Sequence, residues 1–155
     1  PGTIEAGSVS KHISAFWDML PTFSDLTGEP VVGETDGVSL LPTLLGNPKK
    51  QKQHKYLYWE LYEGIPNSAV RYGKWKAVVL NRRKTLDIEL YNLDTDPGES
   101  KNIANQYPEI VKEIKKFMNN SHKTNPFWDA RNSPLFNADA AAKANGVTAD
   151  YSNPN

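Results

Sequence analysis

The sequence contains no cysteine, no long hydrophobic run and no excess of charge of either sign. The lack of cysteine excludes disulfide bonds, a cysteine nucleophile and any cysteine-ligated metal. No apolar stretch approaches the roughly 20 residues that a helix needs to span a bilayer. Because 18 acidic residues balance 18 basic residues, the chain has no overall field that would attract nucleic acid or an anionic membrane. We therefore expect no nucleic acid and no membrane among its partners.

The length of the chain limits its organisation. At 155 residues it is long enough for one domain with a core, and too short for two domains of ordinary size. It begins at Pro1 without methionine and runs directly into an irregular segment, PGTIEAGS. We expect it to be a piece of a longer protein.

Few residues are arranged in a way that supports catalysis or metal binding. His12, His54 and His122 stand singly, without the HxxxH spacing of a metal site. The sequence has no GxSxG elbow, no phosphate-binding glycine loop and no dinucleotide fingerprint. Asp94 and Asp96 precede a Pro-Gly pair, and a turn is favoured over a calcium loop, which would need further oxygen ligands downstream. The residues themselves predict neither a metal site nor a catalytic group.

The first third of the chain has the spacing of helices. Residues 14–26 place large apolar groups on one helical stripe, and Pro21 predicts either a kink or two short helices with the proline in a first turn. Residues 36–46 predict one or two helical turns packed by leucines. The polar run KKQKQHK at 49–55 favours a solvated connection, with an anion-binding patch as the alternative.

From residue 56 the pattern changes to the alternation of strands. In YLYWELYE, the side chains of Leu57, Trp59 and Leu61 are predicted to face the core, and the residues between them to face away. Two β-prone runs, 68–72 and 75–80, are separated by Gly73-Lys74 and predict a hairpin. A further strand is predicted at residues 86–93. Together these strands predict a small antiparallel sheet of three or four strands.

A turn and a helix follow the sheet. The turn lies at 94–98, with Gly98 available for a positive φ. Pro108 opens a helix whose apolar stripe is predicted to pack across the sheet. Residues 123–155 predict an extended tail. The fold class is therefore α+β, a small antiparallel β-sheet packed by a C-terminal helix and preceded by helical segments.

Several motifs occur in an order that is more specific than any one of them. They are FWDMLPTFSDLTGEP, DGVSLLPTLLG, YLYWELYEG, AVRYGKWKAVV and ELYNLDTDPGESKNIANQYPEIV. In this order they resemble the C-terminal part of type I sulfatases of the arylsulfatase family, in the alkaline-phosphatase-like superfamily and especially of the bacterial glycan-acting kind. The resemblance covers about residues 1–118. It implies that residues 1–53 are the helical edge of a larger α/β catalytic domain, residues 54–122 a C-terminal subdomain and residues 123–155 the tail.

The resemblance also implies where the chemistry lies. In the complete enzyme a Cys or Ser within CxPxR or SxPxR becomes formylglycine, which attacks the sulfate sulfur of a carbohydrate ester, while calcium neutralises the sulfate oxygens. Neither motif occurs here, so no catalytic residue and no metal ligand is carried over, and we expect this chain alone to be inactive. The implied partners are the missing N-terminal catalytic portion and a sulfated saccharide, and the implied location is the periplasm or the cell exterior.

The resemblance implies that this chain forms part of the rim of the substrate cleft. The candidates are polar or aromatic groups expected at strand ends and away from the core: Glu60, Tyr62 and Arg71, with His54 behind them. Arg71 could bind a glycan carboxylate or sulfate through its fork of N–H groups, and a cross-strand ion pair with Glu60 is the alternative. Three tryptophans are predicted to be core residues and not sugar-stacking platforms: Trp17, Trp59 and Trp75.

Two functions from different classes remain open at this stage. The chain is either the specificity subdomain of a sulfatase or a non-catalytic glycan-binding or interaction module. If a catalytic portion is missing, residues 14–26 and 38–45 are expected to expose apolar faces that the intact enzyme covers.

Overall fold

The computed structural model describes residues 2–62, 65–81 and 85–123. The chain divides after Lys55 into two compact units, which are considered separately. The basic residues 82–84 and the predicted tail from residue 124 onward lie outside the described residues, and the division at residues 53 and 122 stays a prediction. In the described part of the chain, no helix combines the length and the apolar character needed to cross a membrane.

The first unit consists of short helical elements. A 3₁₀ turn, Phe16–Asp18, leads directly into α1, Met19–Thr27. Helix α2 is Leu41–Leu44, and a second 3₁₀ turn, Pro48–Lys50, follows it. Pro21 is the third residue of α1, where its missing N–H removes no intrahelical hydrogen bond. Of the two predictions for residues 14–26, two short helices with the proline in a first turn is therefore the correct one.

The second unit is built on a four-stranded antiparallel sheet in which each strand pairs with the next along the chain. The strands are β1, Leu57–Leu61, β2, Asn67–Tyr72, β3, Trp75–Val79, and β4, Glu89–Asn92. The predicted hairpin is confirmed. Gly73 has a φ of +54° at the first central position of the two-residue turn between β2 and β3, where a type II′ turn requires glycine.

Strand β4 is shorter than the predicted strand at 86–93. The residues that follow the turn return to its outer edge, where Ile103 donates its N–H to the carbonyl oxygen of Leu90 at 2.9 Å. The Asn102 side chain accepts a hydrogen bond from the Leu90 N–H at 3.1 Å. These bonds satisfy backbone groups that an edge strand would otherwise leave unpaired.

Helix α3, Pro108–Ser121, packs on one face of this sheet, as predicted. The core between them consists of aliphatic side chains from the strands and three residues of the helix: Val70, Ala77, Val79, Ile88, Leu90, Ile114, Phe117 and Met118. Tyr56 stacks on Phe117 with 4.1 Å between the ring centroids. The α+β fold class is confirmed.

The orientation of β1 differs from the prediction. Tyr58 lies opposite Val70, which is a core residue, so the face with Tyr58 and Glu60 is the one turned towards α3. Trp59 and Leu61 lie on the other face and are 38% and 52% exposed. Leu57, the third residue predicted to face the core, is buried at 3% exposure. For Trp59 and Leu61 the prediction is wrong, because a tyrosine can bury its ring against the helix while its hydroxyl finds a polar partner.

The other two tryptophans are partly buried. Trp75 packs against the core and lies 4.7 Å from the Tyr107 ring, between centroids. Its prediction as a core residue is confirmed. Trp17 is half-buried in the first unit.

The turn at 94–98 is present, but a different residue takes the left-handed conformation. Glu99 has a φ of +54°, whereas Gly98 does not lie in the positive-φ region. The Asp96 carboxylate accepts hydrogen bonds from the N–H groups of Ser100 and Lys101, both at 2.9 Å. These bonds fold the chain back immediately after Glu99, which accounts for the conformation of a residue that has a Cβ.

Candidate functional site

A fully buried carboxylate organises the first unit. Asp18 is 0% exposed and lies at the end of the 3₁₀ turn before α1. Its Oδ2 accepts the N–H of Ala15 at 2.7 Å, and its Oδ1 accepts the N–H of Val38 at 2.8 Å. The Nε2 atom of His54 lies 2.8 Å from the same Oδ1. One side chain thus holds three separate segments of the chain together.

The neighbouring helical turn adds two further attachments. The Thr22 hydroxyl donates to the carbonyl oxygen of Asp18 at 2.6 Å and accepts the N–H of Leu40 at 2.8 Å. Gly37 lies so close to α1 that a Cβ would come within 2.4 Å of the carbonyl oxygen of Trp17. The segment around residues 37–40 is therefore tightly held against the polar side of α1.

The charge of Asp18 is stabilised by these contacts. Burial raises the pKa of its carboxyl, but the hydrogen bonds from the Val38 and Ala15 N–H groups and from His54 outweigh burial, and the pKa lies below its ordinary value. Asp18 is thus ionised at neutral pH, and its oxygens can only accept hydrogen bonds. His54 must therefore donate from Nε2.

The predicted solvated connection at 49–55 is wrong at two of its residues, Gln51 and His54. Gln51 is buried, and its Oε1 accepts hydrogen bonds from the N–H and the hydroxyl of Thr43 at 3.1 and 2.6 Å. Its Nε2 donates to the carbonyl oxygen of Ser39 at 2.9 Å. The side chain of His54 is 9% exposed. Gln51 and His54 are therefore internal hydrogen-bonding partners, whereas the lysines of the run are exposed, as predicted.

In the second unit, Glu60 is the acceptor for several donors between β1 and the end of α3. The hydroxyl of Tyr58 donates to Oε1 and that of Tyr62 donates to Oε2. His122, which caps the C-terminus of α3, places Nδ1 at 2.7 Å from Oε1. The Glu60 side chain is 13% exposed. The carboxylate thus links β1 to the last turn of the helix.

Arg71 lies on the opposite face of the sheet. It is aligned with Leu57 on one side and Lys76 on the other, while Glu60 is aligned with Ser68. This register excludes the predicted Arg71–Glu60 cross-strand ion pair. The Nε–H of Arg71 donates to the carbonyl oxygen of Gly73 at 2.7 Å, and no ion pair involves Arg71 within the described residues.

The structure therefore brings together only some of the predicted site residues. Glu60 and Tyr62 are hydrogen-bonded to each other, Arg71 is on the other face of the sheet, and His54 belongs to the first unit and binds Asp18. Two important partners were missed. Asp18 occupies the third position of a capping-box pattern, which has an alanine in place of its usual Ser or Thr, and His122 gives no local signal.

The described part of the chain contains no cluster of side chains that would form a metal centre. No group of three or more His, Cys, Asp or Glu side chains is placed to hold an ion there. The carboxylates of Asp18 and Glu60 already accept hydrogen bonds from protein donors.

Comparison with known proteins supports the resemblance. The model of the family "N-sulphoglucosamine sulphohydrolase, C-terminal" matches residues 1–124. Delta 4,5-hexuronate-2-O-sulfatase of Bacteroides thetaiotaomicron is 38% identical over an alignment of 103 positions, which covers 62% of this chain and 21% of that protein. Human arylsulfatase A is 31% identical over an alignment of 141 positions, which covers 75% of this chain and 28% of that protein.

A solved structure shares the fold. A protein in complex with its substrate D-glucosamine-2-N,6-O-disulfate is 28% identical with a TM-score of 0.64, over 77% of this chain and 26% of that one. This chain thus spans about a fifth to just over a quarter of the length of these relatives. The predicted resemblance to the C-terminal part of sulfatases is confirmed, and the chain belongs to the N-sulphoglucosamine sulphohydrolase C-terminal family.

Proposed function

We propose that this chain is the C-terminal part of a larger sulfatase that hydrolyses sulfate esters on carbohydrates, and that it supplies structure and substrate specificity to that enzyme. The observation that carries the proposal is the family match over residues 1–124. The named relatives support it, because they are sulfatases of which this chain matches only a minor share. The implied location of the complete enzyme is the periplasm or the cell exterior.

The catalytic groups of such an enzyme do not fit the residues of this chain. Formylglycine requires a Cys or Ser in CxPxR or SxPxR, and the sequence contains neither motif. Calcium requires several oxygen ligands, and no group of three or more His, Cys, Asp or Glu side chains is placed to hold an ion among the described residues. We assign formylglycine and calcium to the part of the enzyme that this chain does not match, and we derive no chemical step from this chain.

Arg71 is the residue that we propose for direct contact with the sugar. Its Nε–H is fixed by the carbonyl oxygen of Gly73, which orients the guanidinium on the outer face of the sheet. Lys76, directly opposite, adds positive charge, although its ammonium is paired with Glu99. A planar guanidinium can bind a sulfate or carboxylate through two parallel hydrogen bonds.

Direct substrate contact by Glu60, Tyr62 and His54 stays a prediction. Each already has a protein partner: Tyr62 donates to Glu60, and His54 donates to Asp18. A sugar hydroxyl would have to compete with these bonds. We propose that Glu60 and Tyr62 mainly hold β1 to the end of α3, and that His54 mainly holds together the segments of the first unit.

A chimeric enzyme tests the proposal. The part of the Bacteroides thetaiotaomicron sulfatase that this chain does not match is fused to this chain, and sulfate release from an unsaturated hexuronate 2-O-sulfate is measured. We expect activity from the chimera and none from this chain alone. Sulfate release by the chain alone would contradict the proposal, and tight binding of sulfated saccharides by the chain alone with an inactive chimera would favour a glycan-binding module.

Arg71→Gln in the active chimera tests the contact. Because a hydrogen bond to a charged group is worth about 1.5–3 kcal/mol, we expect KM to rise about tenfold or more. Lys101→Gln is the matched control, because it removes one positive charge from an exposed residue of the same unit. Equal KM values for the two variants would refute the role of Arg71.

A further inference from the structure

The outer face of the sheet, which is the face turned away from α3, carries an apolar row that crosses three strands. Trp59 of β1 is aligned with Ala69 of β2, and Ala69 is aligned with Val78 of β3. Their neighbours along the strands, among them Val70 and Ala77, are core residues, so the row lies on the outer face. Trp59 is 38% exposed, and the other two residues of the row are partly buried. The row is therefore an accessible apolar surface outside the core.

A charged row lies directly beside this apolar row. Arg71 follows Ala69 by two positions on the same face of β2, so it is the diagonal neighbour of Trp59, at about 7–8 Å between Cα atoms. A backbone carbonyl holds one of the five N–H donors of the guanidinium, the Nε–H, and this bond does not use the two terminal NH₂ groups. Lys76 is aligned with Arg71 on its other side and pairs with Glu99. The outer face thus places an indole ring next to a guanidinium.

The position of Trp59 in the sheet leaves its ring available to a ligand. In the described sheet β1 is an edge strand, so Trp59 has a neighbouring strand on one side only, and the residue aligned with it there is an alanine. An enclosed aromatic side chain buries about 150–250 Å², and a single methyl group is too small to cover an indole ring. The sequence-based prediction that Trp59 is a core residue and not a sugar-stacking platform is therefore replaced by the opposite assignment.

We propose that Trp59 is a stacking platform for a sugar ring of the sulfated saccharide, while Arg71 binds an anionic substituent of the same saccharide; this inference rests on the proposed function. A pyranose ring has a face of C–H groups that can be buried against an indole, and its sulfate or carboxylate substituents suit a guanidinium. An apolar protein segment fits this surface less well, because Lys and Glu are depleted from the cores of protein interfaces, and Lys76 and Glu99 border the row.

Substitutions of Trp59 in the chimera measure this contact, with an unsaturated hexuronate 2-O-sulfated disaccharide as the probe. Because stacking buries apolar surface of the ring, we expect both KM and the calorimetric dissociation constant to rise about tenfold in Trp59→Ala. Trp59→Phe should keep most of the affinity, whereas Trp59→Leu should behave like Trp59→Ala, since leucine is apolar but has no flat ring. Leu61→Ala is the matched control, because Leu61 is an exposed apolar residue on the same face of β1 and lies further from Arg71.

The outcomes separate this inference from the proposed function. An active chimera in which Trp59→Ala has the wild-type KM overturns the platform and leaves the proposed function intact. A wild-type KM in Trp59→Leu also overturns it, because apolar packing within the protein then accounts for the position. If Trp59→Ala fails to fold, the comparison of Trp59→Phe with Trp59→Leu decides.

The dissociation constants decide if the chimera is inactive. Tighter binding of the probe by the wild-type chimera than by Trp59→Ala supports the platform and counts against the proposed function. Equal binding by the two, or no binding by either, overturns the platform.

Discussion

Replacing Asp18 with asparagine removes the charge from a site where three donors converge. Asparagine has one carbonyl oxygen and an NH₂ group, so at least one donor among the Ala15 N–H, the Val38 N–H and His54 Nε2 would face another donor. A hydrogen bond to a charged group contributes about 1.5–3 kcal/mol, and an unsatisfied buried donor costs about 1–3 kcal/mol. We expect the local free energy of opening to fall by about 2–4 kcal/mol.

Native-state hydrogen exchange at the Val38 amide measures this loss. Because about 1.4 kcal/mol corresponds to a factor of ten, the exchange of Val38 should accelerate by roughly 30- to 1,000-fold in Asp18→Asn. Asp25→Asn is the matched control, since Asp25 is an exposed aspartate of the same helix. Unchanged exchange at Val38 in Asp18→Asn would show that the carboxylate does not hold this segment.

The same variant tests the pH dependence of the contact. The pKa of Asp18 lies below its ordinary value of 3.8 in the folded chain, so the unfolded chain binds the proton more readily as the pH falls. The stability that the carboxylate contributes is complete above this ordinary value and is lost as the pH falls through the folded pKa. The difference between wild type and Asp18→Asn should therefore shrink below about pH 3.8.

Three further predictions concern other parts of the chain. Gly37→Ala should destabilise the first unit by about 1–3 kcal/mol in chemical denaturation, because the new Cβ would meet the Trp17 carbonyl oxygen; a stability equal to wild type would show that this approach can relax. The hydrogen bond to Glu89, together with burial, raises the pKa of Tyr91 to about 12, so Tyr91→Phe should remove one late step from a spectroscopic titration of tyrosinate, and an unaltered titration would refute this. The chain alone should bind a hydrophobic dye through the exposed side chains of Phe16, Leu20, Phe23 and Leu26, and Phe23→Ser should reduce the binding. A monodisperse chain without dye binding would refute this prediction.

Elements defined by local signals were predictable from the sequence. The hairpin follows from Gly73, since a two-residue turn needs a residue that tolerates positive φ at that position. The start of α3 follows from Pro108, whose fixed φ suits the first turn of a helix. Both signals lie in neighbouring residues of the chain, so they can be recognised without knowledge of the tertiary contacts.

The face that β1 presents to the core could not be predicted from its alternation. In YLYWELYE both alternating sets are largely apolar or aromatic, so the strand pattern does not distinguish them. Helix α3 determines which face of β1 is turned towards the core, because Phe117 stacks on Tyr56 and His122 contacts Glu60. These partners lie far along the chain, with Glu60 and His122 separated by 62 positions.

The sequence alone therefore determined the α+β class, the strands, the helices and the sulfatase resemblance, because each is encoded in local spacing or in the order of motifs. Tertiary structure alone decided what the polar candidates bind. Asp18 and His54 are 36 positions apart, so only the folded chain shows that they pair. Only the folded chain also shows that α1 buries its polar side and exposes its apolar side, since burial depends on which segments pack against each face.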